Sequence, residues 1–133
     1  MSETNTITPI NLSGAVTWFE VGTPDPAGAR RFYGDLFGWT FELQGPYSVV
    51  TTGDGHNLQG GINDTGASDP GTPATYAIPY VQVADVAETC AAAERLGGKV
   101  VVPRTEAPGG LVFAHVLDPT GGHIGVWAPP SAE

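Results

Sequence analysis

The sequence contains a single cysteine, Cys90, so it supports neither an intrachain disulfide framework nor a cysteine-based zinc site. Cations are scarce as well. Five Lys and Arg stand against fourteen Asp and Glu in 133 residues, a net charge of -9. Such a chain lacks the basic footprint that neutralises phosphates, which argues against a nucleic-acid partner. No apolar run approaches the ~20 residues of a membrane-spanning helix. The first eleven residues carry Glu3 but no basic stretch and no apolar centre, unlike a secretory signal. A cytoplasmic protein is the expectation.

Glycine and proline, by contrast, are abundant, with 19 and 12 copies. Their number suggests disorder, whereas 41% hydrophobic residues suggest a folded chain. At this length one globular domain is expected, burying roughly two-thirds of the unfolded chain's surface. The positions of Gly and Pro decide between the two readings, because most of them fall between periodic segments.

Residues 1–13 are polar and aperiodic and read as a flexible N-terminal tail. Residues 16–21 (VTWFEV) have strand composition. Asp25 followed by Pro26 is a helix start, an acceptor at the cap and a proline in the first turn. Ala29, Phe32, Tyr33, Leu36 and Phe37 then recur at helical spacing on one face, and Gly38 ends the helix. Short strands are expected at 40–43, 47–52 and 58–62, separated by turn sequences. Residues 63–75 hold no large apolar side chain and read as a linker.

The pattern then restarts. Residues 76–83 form a strand. Asp85 caps a second helix, with Glu88 placed to complete a capping box. Val86, Cys90, Ala93 and Leu96 or Gly97 line one face, and Gly97-Gly98 stops it. Strands follow at 99–103, 111–117 and 123–127. Each half is strand, helix, three strands, with Val21 and Val83 in corresponding places. The predicted class is α+β: two βαβββ modules, 14–62 and 76–128, within one globular domain.

This order, with the opening Trp18-Phe19-Glu20-Val21 and Arg31-Phe32-Tyr33-Gly34-Asp35-Leu36-Phe37-Gly38-Trp39 and the closing Asp118-Pro119-Thr120-Gly121-Gly122-His123-Ile124-Gly125-Val126-Trp127, resembles the vicinal oxygen chelate superfamily of glyoxalase, bleomycin-resistance and dioxygenase proteins. The resemblance covers residues ~15 to 128. It implies that the modules curl into an open cup with helices outside and a ligand cavity within, and that two chains pair as a homodimer.

Strand alternation assigns faces within that cup. Thr17, Phe19 and Val21 are expected on the helix side, with Val16, Trp18 and Glu20 facing the cavity. Pro79, Val81 and Val83 face outward; Ile78, Tyr80 and Gln82 face in. Ile124 and Val126 face outward; His123, Gly125 and Trp127 face in.

Metal-dependent members of the family hold a divalent ion with His, Gln or Glu on the first and last strands of each module. Here those places fall on Val16, Ile78, Gly125 and Gly60 or Gly61, none of which offers a side-chain donor. The resemblance is therefore to a branch lacking the usual ligands, with no metal and no other cofactor expected. Glyoxalase and dioxygenase chemistry is disfavoured. A non-standard set of His115, His123 and Glu20 is the remaining metal alternative. His56, in a Gly-Asp-Gly turn, is expected in solvent.

Trp18, Tyr80 and Trp127 would instead give the cavity aromatic walls, and Glu20, Gln82, His115 and His123 its polar groups. The expected ligand is a small molecule, cationic or aromatic. Glu20 is either an acid or base tuned by burial or the holder of a structural hydrogen bond. Two functions follow: a metal-independent binding protein similar to the bleomycin-resistance branch, or a metal-independent lyase, isomerase or cyclase using Glu20 or His123. Cys90 is expected as a small buried apolar residue. Trp39 is expected against the sheet edge.

Overall fold

Asp25 begins the first helix in the way its sequence predicts. In the computed structural model, which describes residues 12–68 and 70–130, its Oδ1 accepts the backbone N–H of Gly28 at 3.0 Å. Pro26 sits in the first turn, and Gly38, at φ 77°, closes the helix in the left-handed region. Most of the expected tail, residues 1–11, lies outside the described residues.

The chain runs β1 (Val16–Thr23), α1 (Pro26–Phe37), β2 (Thr40–Gln44), β3 (Tyr47–Thr51) and β4 (Gly60–Asp64). A short 3-10 turn at Thr65–Ala67 lies in the expected linker. The second half runs β5 (Tyr76–Gln82), α2 (Val86–Arg95), β6 (Lys99–Glu106), β7 (Val112–Leu117) and β8 (His123–Ala128). All eight strands share one sheet, in the order β2-β3-β4-β1-β5-β8-β7-β6. The pairs β1–β4 and β5–β8 are parallel. The halves join where β1 and β5 run antiparallel, with Trp18 opposite Tyr80 and Glu20 opposite Ile78. The result is the expected α+β open mixed sheet.

Two apolar clusters hold the helices to the outer face. Ala29 and Tyr33 of α1, with Trp39 and Phe41, pack on Val21, Val50 and Ile62. Val86 and Cys90 of α2 pack on Ala114, Val126 and Ala128. Complete burial of a Val or Ile stabilises by roughly 1.5–3 kcal/mol, and Val50 and Ile62 are fully enclosed. Beneath α1, the buried Ser48 hydroxyl accepts from Arg30 at 3.1 Å. Asp85 caps α2 by accepting from the Glu88 N–H at 3.0 Å. The Glu88 carboxylate lies 3.8 Å from Arg95.

Several expectations fail in detail. Phe32, Leu36 and Phe37 are exposed, at 59%, 57% and 57%, although they lie on the predicted apolar arc of α1. That arc is wider than the strip of sheet beneath it, so only Ala29 and Tyr33 reach the core. Leu96 is 78% exposed because it caps α2 beyond the sheet. Trp39 packs not at a sheet edge but on Phe19 of the central strand β1, with ring centroids 5.4 Å apart, and on Tyr33. Pro79 and Val16 are exposed. The register of β1 against β5 shifts between Val16 and Trp18. At that irregularity Thr17 Oγ1 accepts from the Trp127 indole at 2.9 Å rather than packing on a helix.

Candidate functional site

Alternation along the two central strands sends Trp18 and Glu20 of β1 and Tyr80 of β5 to the inner face. There they meet Trp127 of β8, Phe113 of β7, and Tyr47 and Val49 of β3 around a cavity of about 570 Å³. The connection between β6 and β7, through Pro108 and Leu111, forms its rim. The cavity wall is chiefly apolar. Its charged member is Glu20, and it contains no Lys or Arg.

Glu20 is 6% exposed. Its Oε1 accepts the Tyr47 hydroxyl at 2.9 Å. Its Oε2 accepts Tyr76 at 2.5 Å and Tyr80 at 3.4 Å. The Tyr47 oxygen in turn accepts from the Trp18 indole at 3.0 Å, and the Tyr76 oxygen from Asn63 at 3.2 Å. Burial pushes the Glu20 carboxyl above its usual range, and the phenol hydrogen bonds, Tyr76 first, oppose this. Burial and then the neighbouring Glu20 raise all three phenols well above their ordinary values. They are therefore hydrogen-bond donors and neutral at any physiological pH.

Behind this group lie two imidazoles. His115, 2% exposed, faces Tyr80 through Nε2 at 2.5 Å and His123 through Nδ1 at 3.0 Å. Burial, and then His123, lower its pKa to about 4. Burial also lowers that of His123. No buried side-chain polar atom among the described residues lacks a partner.

The predicted site residues divide into two groups. Trp18, Glu20, Tyr80 and Trp127 line the cavity, whereas Gln82, His115 and His123 are not part of its wall. Tyr47, Tyr76 and Phe113 belong to the site but escaped the sequence reading. Tyr47 alternates with the buried Ser48 and Val50, a period-two signal that only the placement of β3 beside β4 turns into a direction. His56 is exposed, 3.4 Å from Asp54. Cys90 is half-buried against α2's core cluster, and burial raises its thiol.

The positions of the family's metal ligands do not fit an ion. Gly61 lies beside Glu20 in register and Gly125 beside Tyr80. A side chain at Gly61 would overlap the Tyr47 ring, and one at Gly125 the Tyr80 ring. Gly60 faces the other way, against Phe19. In the alternative set, His115 Nε2 is 3.9 Å from Glu20 Oε2 while both imidazole nitrogens of His115 face hydrogen-bond partners. Among the described residues no three His, Cys, Asp or Glu are grouped to hold a metal ion.

Comparisons with known proteins agree with this architecture. Residues 15–125 match the model of the Glyoxalase/Bleomycin resistance protein/Dioxygenase superfamily. CFP32 of Mycobacterium tuberculosis, which carries a glyoxylase name, is 27% identical over 120 residues, covering 86% of this chain and 45% of its own. The anthracycline biosynthesis protein DnrV of Streptomyces peucetius is 29% identical over 134 residues, covering 86% and 46%. The chain thus spans about half the length of these curated relatives. Among solved structures, methylmalonyl-CoA epimerase from Mycobacterium tuberculosis superposes with a TM-score of 0.55 at 13% identity, covering 94% of each chain. A superfamily member from Vibrio splendidus gives 0.54 at 12%, covering 83% and 94%. With the family model matched over most of its length, the chain belongs to the glyoxalase/bleomycin resistance protein/dioxygenase superfamily.

Proposed function

We propose that this protein binds a flat, largely apolar small molecule, neutral or cationic, and does so without a metal ion. The observation that carries this reading is the cavity. Its volume of about 570 Å³ lies within the ~300–1,000 Å³ of small-molecule sites. Trp18, Trp127 and Phe113 offer ring faces for stacking. A wall with one carboxylate and no cation disfavours an anionic ligand, because nothing there replaces the lost hydration of a negative charge. The acid surplus of the whole chain acts in the same sense at long range. The likeness to a protein named for anthracycline biosynthesis is in keeping with a ring-bearing ligand.

Tryptophan fluorescence of chelator-treated protein, titrated with neutral, cationic and anionic planar aromatics, tests this. Saturable quenching by the first two and recovery of unchanged ligand are expected. A requirement for a divalent ion, or a preference for anions, would refute it. Homodimerisation belongs to the same proposal, supported by the exposed Phe32, Leu36 and Phe37 of α1, and sedimentation equilibrium reports it directly.

A second reading is a metal-independent lyase, isomerase or cyclase in which Glu20 acts as acid or base. It rests on a buried carboxyl with a raised pKa at the cavity wall. Binding is favoured over it because both Glu20 oxygens already accept phenol hydrogen bonds. Turnover that vanishes in Glu20→Gln while ligand affinity persists would establish the enzyme.

A further inference from the structure

The polar network does not end at the cavity. Glu20 Oε2, the Tyr80 hydroxyl, His115 and His123 are linked in series at 3.4, 2.5 and 3.0 Å. The series begins at a carboxylate of β1 in the cavity wall, passes through Tyr80 of β5 and His115 of β7, and ends at a partly exposed imidazole of β8 outside that wall. We propose that these four residues form a proton relay, in which both histidines change tautomer together when Glu20 gains or loses its proton.

The same contacts satisfy two proton arrangements. With Glu20 neutral, its O–H donates to the Tyr80 oxygen and the Tyr80 O–H donates to His115 Nε2. His115 Nδ1–H then donates to His123 Nε2, and His123 carries its proton on Nδ1. If each proton moves one place along, Glu20 becomes a carboxylate accepting from Tyr80. His115 now carries its proton on Nε2 and donates to Tyr80, and His123 carries its proton on Nε2 and donates to His115 Nδ1. The Nδ1 proton of His123 passes to water. One proton has left Glu20, one has reached solvent, and no heavy atom has had to change partners. Every intermediate group begins and ends neutral, which suits a buried path where an isolated charge is costly.

The surroundings leave this exchange to the four residues. The other titratable groups facing them are Tyr47 from β3 and Tyr76 from β5, both neutral donors to Glu20. Tyr76 also flanks the histidines, with ring centroids 5.3 Å from His115 and 5.1 Å from His123. The relay gives a carboxyl enclosed by three phenols a route to exchange its proton when a ligand fills the cavity. It does not depend on which ligand that is, and it is testable in the ligand-free protein, so its failure and that of the binding reading are separate results.

Long-range proton–nitrogen spectra of 15N-histidine protein identify each tautomer, and the 13C carboxyl shift reports the charge of Glu20. In a pH titration of the folded protein, the wild type should show both histidines switching at the midpoint at which Glu20 loses its proton, His115 from Nδ1–H to Nε2–H as the pH rises. Glu20→Gln, which cannot titrate, should abolish the switch. In Tyr80→Phe the carboxyl should still titrate while the histidines no longer follow. The relay is overturned if His115 keeps one tautomer while Glu20 changes charge, if Glu20 does not change charge at any pH at which the protein stays folded, or if the switch survives in Glu20→Gln. The wild-type and Glu20→Gln results decide the matter even if Tyr80→Phe fails to fold.

Discussion

The ring of Tyr47 lies directly across Gly61, so closely that a side chain at Gly61 would overlap it. This contact lets a residue of β3 reach over β4 to Glu20 on β1 and donate to its carboxylate at 2.9 Å. Gly125 of β8 likewise makes room for the Tyr80 ring, on the side of Tyr80 that faces His115 of β7 rather than Glu20. In both halves a glycine makes room for a phenol.

Gly61→Ala should therefore push Tyr47 away from both Glu20 and Trp18. A loss of about 1–3 kcal/mol in denaturant unfolding is expected from overpacking. Ligand affinity should fall about tenfold as the wall is displaced. Tyr47→Phe, which keeps the ring but not its hydroxyl, separates the two effects: it should leave the cavity shape intact and retain most of the affinity.

Glu20→Ala would leave the Tyr47 and Tyr76 hydroxyls without the carboxylate that accepts from them, while Tyr80 would keep His115. Each unsatisfied buried donor costs about 1–3 kcal/mol, so this variant should be far less stable than Glu20→Gln, whose amide oxygen still accepts. Equal thermal stability of the two variants would show that the carboxylate is not the hub of the cluster.

Glu20 and His115 should move stability in opposite directions with pH. The folded-state pKa of Glu20 is raised, so its contribution is present at low pH and is lost as pH rises through that value. The Tm of the wild type should gain on that of Glu20→Gln as pH falls below neutrality. A difference between the two that is flat across the acid range would contradict the raised pKa.

His115 behaves conversely. Its folded pKa lies at about 4, below the unfolded value of 6.5. Its contribution is present above pH ~6.5 and is lost as pH falls toward 4, a change of about 3 kcal/mol by linkage. His115→Gln should lose less stability on acidification than the wild type, as chemical denaturation at pH ~7 and pH ~4.5 would show.

Trp127 stands half-buried at the cavity, its indole hydrogen-bonded to Thr17 at 2.9 Å. Trp127→Ala should weaken binding of a planar ligand about 10- to 100-fold. Trp127→Phe should recover much of that affinity, since it restores a ring face without the hydrogen bond. Isothermal titration of the two variants compares stacking with polar anchoring.

Much of the fold can be read along the chain because its signals are local. Asp25 and Asp85 precede helices and cap them; Gly38 and Gly97 adopt the positive φ that ends them. Period-two alternation placed Trp18, Glu20, Tyr80 and Trp127 on the inner face, where they line one cavity. Alternation could not show how far each side chain reaches. Gln82 and His123 share that face by register but stand outside the wall. Helical periodicity likewise marked Phe32 and Leu36 as apolar-face residues without showing how narrow a strip of sheet α1 would cover.

By itself, the sequence determined two helices and eight short strands, because capping, turn formation and side-chain alternation act over a few residues. The tertiary structure alone decided what surrounds Glu20. Tyr47, Tyr76 and Tyr80 lie 27, 56 and 60 residues from it along the chain. Only the order and register of the strands bring those hydroxyls to one carboxylate, and the two histidines into line behind it.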